Sequence, residues 1–155
     1  MMPTTFFPAT VVLPQRRCSP LNFIAGPSML KINLPEVVAE VASAYARYEA
    51  ALAANDVAVL NEIFWNDALT IRYGTGENLY SHDEISAFRG SRTPTSEAKK
   101  YTRTVVTTYG TDMGTVNTMF GRDTVPEKVG RQSQTWLRTP EGWRVVCAHV
   151  STINR

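Results

Sequence analysis

Two β-rich runs around a tight turn near the C-terminus constrain the fold more than any other stretch. Gly130-Arg131-Gln132-Ser133-Gln134-Thr135-Trp136-Leu137-Arg138 leads into Thr139-Pro140-Glu141-Gly142, and Trp143-Arg144-Val145-Val146-Cys147-Ala148-His149-Val150-Ser151 returns. Proline presets φ and glycine tolerates φ > 0, so the stretch reads as a long antiparallel hairpin. Strict alternation puts Gln132 and Gln134 on the face of Trp136, and His149 and Ser151 on the face of Trp143. Polar side chains turned inward on a sheet need hydrogen-bond partners. A ligand can supply them, which makes this hairpin a candidate pocket wall.

The preceding chain reads as helices first and strands last. Asn33 can cap a helix that has Pro35 in its first turn and Glu36 after it. Val37, Val41, Tyr45, Tyr48 and Leu52 then recur along one face to about Ala54. Tyrosines on such a stripe must find partners for their hydroxyls. Tyr45 is expected to reach the surface, and Tyr48 is the better placed to reach a cavity. Asn55-Asp56 ends this helix and caps a short second one with Val59, Leu60, Ile63 and Phe64 inside. Leu69 to Tyr73 alternates as a strand, broken by Gly74-Thr75-Gly76. If Arg72 faces solvent it is a routine surface charge. If it faces inward it requires an internal carboxylate or an anionic ligand.

Ser81-His82-Asp83-Glu84 has the pattern of a capping box and opens a third helix, with Ile85 and Phe88 buried. A loop from Thr93 to Glu97 leads to strands over Tyr101 to Tyr109 and Met113 to Arg122. This order predicts an α+β fold, a strongly curved antiparallel sheet wrapped around the N-terminal helices and enclosing a cone-shaped cavity.

A chain of 155 residues suffices for one domain with a real core. Residues 1–28 are interrupted by Pro3, Pro8 and Pro14, and Arg16-Arg17 follows the apolar part instead of preceding it, the wrong order for a secretory signal. They read as an irregular extension, and residues 29–155 as the domain. A chain starting at Met29 is expected to keep its melting temperature within a few degrees. The net charge of +2, with scattered Lys and Arg, argues against nucleic acid. No run of about 18 apolar residues suggests a membrane span. Two distant cysteines form no disulfide framework and no zinc spacing, so a cytoplasmic protein without metal or cofactor is expected. No Ser/His/Asp set or nucleophile elbow is present. Glu77 and Asp83 are more simply turn and helix-start residues than water activators.

The chain resembles the nuclear-transport-factor-two-like (SnoaL-like) superfamily, through Gly142-Trp143-Arg144-Val145-Val146 with His149-Val150-Ser151. It is more closely similar to the AtzH/HpxZ group, associated with nitrogen catabolism of cyanuric acid and oxalurate. The residues carrying this are Ile32 to Val38, Arg47-Tyr48-Glu49-Ala50-Ala51-Leu52, Phe64-Trp65-Asn66-Asp67, Arg72-Tyr73-Gly74, Glu77-Asn78-Leu79-Tyr80 and Gly130 to Trp136. The resemblance covers roughly Lys31 to the C-terminus.

That resemblance implies a small amidase or decarboxylating hydrolase that converts 1,3-dicarboxyurea, a urea-derived dianion, to allophanate. It implies a homodimer joined through the convex sheet face and a functional link to an amidase of the carboxybiuret type. The group's pocket tyrosine and arginine correspond to Tyr48 and Arg72, the candidate catalytic residues. Gln132, Gln134, Trp136 and His149 are the candidate substrate-binding residues. A non-catalytic accessory subunit, holding an unstable intermediate for a partner amidase, would present the same pocket.

Overall fold

The computed structural model describes residues 30–91 and 98–155. The extension expected over residues 1–28 and the loop expected over residues 93–97 lie outside them. Helix α1 (Pro35–Ala54) starts on Pro35 and buries Val37, Val41, Tyr45, Tyr48 and Ala51. Asn33 does not cap it; Leu34 holds that position, without a side-chain bond. Asn33 instead sits at φ 55°, a left-handed conformation that asparagine tolerates. From there its side-chain oxygen accepts from the Thr108 amide at 2.9 Å while its own amide donates to the Thr108 carbonyl at 3.0 Å. The residue ties the start of the helix to the sheet.

Asn55 closes α1 in the left-handed conformation, and the Asp56 carboxylate accepts from the Val59 amide at 3.1 Å to cap α2 (Val57–Ile63). Two short strands follow, β1 (Ile71–Tyr73) and β2 (Asn78–Tyr80), joined by a turn in which the Gly74 amide donates to the Glu77 carbonyl at 2.8 Å. Helix α3 (His82–Ser91) opens as its capping pattern predicts. The Ser81 hydroxyl takes the Glu84 amide, and the Glu84 carboxylate reaches back to the Tyr80 amide at 2.7 Å.

The long strands β3 (Lys100–Tyr109), β4 (Met113–Gly121), β5 (Lys128–Thr139) and β6 (Gly142–Asn154) form an antiparallel meander, and the full order is β2-β1-β6-β5-β4-β3. The sheet is mixed, not purely antiparallel. The chain reaches β1 after α1 and α2 and lays it alongside the far edge of β6, where the two run parallel. Gly142, at φ 107°, makes the β5–β6 turn that a residue with a Cβ would strain. No helix among the described residues is long and apolar enough to cross a membrane.

A β-bulge in β6 changes which side chains face inward. Thr135 pairs with Cys147 but Trp136 pairs with Val145, so Val146 is an extra residue on β6. Trp143 and Val145 point into the core, Cys147 and His149 outward, and Ala148 inward again. Strict alternation from Trp143 therefore misplaces His149, because one inserted residue reverses the facing of everything after it. The ladder changes partner at the same point: Val145 bridges Phe64, and Cys147 begins the pairing with β1.

The core lies between α1 and the inward face of the sheet, with Ile63, Phe64, Ile85, Val116, Trp136 and Val145 almost wholly covered. Tyr45 belongs to it as well. It does not reach the surface; it is 8 % exposed, and its hydroxyl bonds Thr118 Oγ1 at 2.8 Å. Burial raises the Tyr45 pKa, so the hydroxyl stays protonated.

Candidate functional site

The motif Arg47-Tyr48-Glu49 lies on the last turns of α1, and its three side chains diverge. Arg47 pairs with Glu62 at the surface at 2.6 Å. Tyr48 is 4 % exposed, its ring centroid 6.3 Å from those of both Tyr45 and Phe64. Glu49 points to the ends of β3 and β5, where it accepts from Gln132 Nε2 at 2.8 Å and from the Tyr101 hydroxyl. Burial, with the neighbouring Glu49 carboxylate, raises the Tyr101 pKa and keeps that hydroxyl a donor.

Arg72 faces inward. In the ladder it lies beside Ala148, which is buried after the bulge. The guanidinium bonds Glu77 across the β1–β2 turn and lies 5.4 Å from the centre of the Phe88 ring. The internal carboxylate that burial would demand is thus Glu77.

Two further cations converge here that the sequence reading did not single out. Arg89 falls one helical turn after Ile85 on the buried face of α3 and is 8 % exposed. It donates to the Leu60 carbonyl at 2.5 Å and lies 4.2 Å from the centre of the Phe64 ring, an arrangement that keeps a buried guanidinium bonded and stacked. Burial lowers its pKa to about 10; the field of Tyr48 opposes that shift and the charge of Arg72 adds to it. It therefore remains a cation at neutral pH, within electrostatic reach of both sequence-chosen catalytic residues. Lys99, just before β3, is largely covered, its ammonium 3.0 Å from Gln132 Oε1 and 3.3 Å from Glu49. Burial lowers its pKa too. Glu49 opposes the shift, while Arg122 and Arg72 reinforce it.

The hairpin wall divides. Gln132 and Gln134, each 2 % exposed, face the helices from β5. Gln134 accepts from Trp136 Nε1 at 3.2 Å, and since an indole only donates, this fixes the amide oxygen towards the tryptophan. Its Nε2 end is buried with no partner among the described residues. Trp136 itself is fully covered and serves as core and as the support of Gln134. His149 does not join them. It lies on the exposed outer face, its ring 6.1 Å from that of Tyr73, and this corrects its assignment to the pocket.

The assembled set is Tyr48, Arg72, Arg89, Lys99 and the two glutamines, with Glu77 on Arg72 and Glu49 beside Lys99. Among the described residues no three His, Cys, Asp or Glu side chains gather as a metal site. A separate groove of about 570 Å³ runs along the other flank of α1, lined by Glu40, Arg47, Trp143 and Arg144. Its charges pair with Glu62 and Arg138.

Residues 30–155, which hold every one of these side chains, match the AtzH-like family. The chain belongs to that family. Among solved structures, this AtzH-like protein is 51 % identical to a DUF3225-family protein from Pectobacterium atrosepticum, covering 79 % of this chain and 95 % of that one at a TM-score of 0.77. It is 43 % identical to a cystatin-like fold protein from Burkholderia xenovorans, over 81 % and 98 % of the two chains with a TM-score of 0.78. A nuclear-transport-factor-two-like protein from Salmonella enterica, 20 % identical over 77 % and 93 % with a TM-score of 0.63, shares the fold. No curated protein matches the chain.

Proposed function

We propose that this AtzH-like protein converts 1,3-dicarboxyurea to allophanate, using Arg72 to hold one carboxylate and Tyr48 to protonate the nitrogen that loses it. The observation that carries the reading is the set of three largely covered cations, Arg72, Arg89 and Lys99, with Arg89 in the field of the buried Tyr48. Cations enclosed at this density favour an anionic ligand, because a ligand carboxylate offsets their mutual repulsion and lost hydration.

Removing a carboxyl group from a carbamate breaks the N–C bond and leaves the electron pair on nitrogen. A proton must arrive there as the bond opens, whether the carbon leaves as CO₂ or, after attack by water, as bicarbonate. Tyr48 supplies it as general acid, a contribution of about 10²–10⁴-fold. The buried Nε2 of Gln134 has a donor to offer, and a urea carbonyl is the acceptor that would satisfy it. The protein acts as a homodimer in the cytoplasm, beside an amidase that takes carboxybiuret-type compounds.

Arg72→Lys keeps the charge and loses the planar fork that grips a carboxylate with two parallel bonds. Loss of one charge-assisted bond of about 1.5–3 kcal/mol should lower kcat/KM roughly 10- to 100-fold. Allophanate release from fresh 1,3-dicarboxyurea, with spontaneous decay subtracted, tests both points. If purified wild-type protein gives no release above decay, catalysis is excluded; if the variant matches wild type, Arg72 is not the carboxylate clamp.

A further inference from the structure

Lys99 is buried more deeply than its place before a strand requires. Lysines in such positions normally extend their charge into water, yet only 10 % of this side chain is exposed. Glu49 does not fully account for the burial. Its oxygens already take Gln132 Nε2 at 2.8 Å and the Tyr101 hydroxyl, while the Lys99 ammonium stands 3.3 and 3.5 Å from them. Charge-assisted bonds close to about 2.7–2.9 Å when a pair is made for itself. The ammonium also rests 4.8 Å from the centre of the Phe120 ring. That ring covers Gly130, where an added Cβ would come within 2.3 Å of it. A glycine, an aromatic ring and a buried glutamine thus hold a half-neutralised cation on the same inward face as Arg72, which acts on it electrostatically.

We propose that Lys99 anchors the second carboxylate of a dianion whose first carboxylate is held by Arg72, and so makes the site select dicarboxylates over monocarboxylates. The inference rests on the reading of Arg72 as a carboxylate clamp. It adds the element that tells a dicarboxyurea from a singly charged product such as allophanate: after the carboxyl held by Arg72 is lost, only the Lys99 contact remains and the product is released. Glu49 competes for Lys99 and sets how tightly the dianion is gripped.

The test uses the full chain with malonate as the dianion and acetate as the monoanion, titrated calorimetrically. Wild type should prefer malonate. Lys99→Met should weaken malonate about tenfold or more, the value of one charge-assisted bond, and leave acetate unchanged. Glu49→Gln, which removes the competing charge, should tighten malonate, and it decides the matter if Lys99→Met fails to fold. Unchanged malonate affinity in both variants, or no malonate preference in wild type, overturns the proposal. Turnover separates it from the reaction. A Lys99-dependent malonate preference without allophanate release refutes the reaction and keeps the subsite, whereas release with a wild-type KM in Lys99→Met refutes the subsite and keeps the reaction.

Discussion

Tyr48→Phe is expected to lower kcat for allophanate formation about 100-fold or more, with the melting temperature moving by only a few degrees. The ring packs between Tyr45 and Phe64 in the core, and phenylalanine fills that space equally well. What it lacks is the hydroxyl, within the field of Arg89 and on the same inward side as Arg72. If tyrosine and arginine act as one unit, adding Arg72→Ala to Tyr48→Phe should cost no more than the worse single change. Losses that multiply would separate the two roles. Unchanged turnover in Tyr48→Phe would remove the hydroxyl from the chemistry and leave the residue as packing.

Trp136→Ala is expected to destabilise the protein by about 3–5 kcal/mol, the usual range for emptying a large aromatic site in a core. For a domain of this size that corresponds to a fall in melting temperature of roughly 10–20 °C. Trp136 is fully covered, and its indole is the donor that orients Gln134. Trp136→Phe separates these roles. It should keep most of the stability and raise KM, because the Gln134 amide becomes free to turn. Thermal unfolding and steady-state kinetics on both variants check this; a Trp136→Ala protein as stable as wild type would place the side chain outside the core. A smaller effect is expected at Gly130→Ala, where the displaced Phe120 ring should cost about 1–3 kcal/mol.

What could be read directly from the chain was whatever repeats locally. The stripe from Val37 to Tyr48, the cap at Asp56, the box from Ser81 to Glu84 and the final hairpin all follow from spacing within a few residues. The superfamily fold followed from their order together with the motif resemblance. Three kinds of information were hidden. The parallel pairing of β1 with β6 joins segments some 75 residues apart, and no local pattern encodes it. Arg89 and Lys99 look like ordinary surface charges until the tertiary fold closes over them, although Arg89 does keep helical spacing from Ile85. Asn33 has the right composition for a cap, but its bonds go to a strand 75 residues away. The facing of Arg72 was undecidable for the same reason, since it depends on which residue of β6 it lies beside.

The extra residue at Val146 lets one strand serve two different architectures. Before it, β6 seals a dry interior with Trp143 and Val145; after it, Ala148 presents the smallest of side chains where Arg72 crosses. Were Val146 paired in an unbroken ladder, the second half of the strand would shift by one position, sending Cys147 and His149 inward and Ala148 out. A bulky imidazole would then share the inward face with the Arg72 guanidinium. The bulge therefore works as a frame-setting device: the same residues paired without it would give the outline of this molecule a different interior.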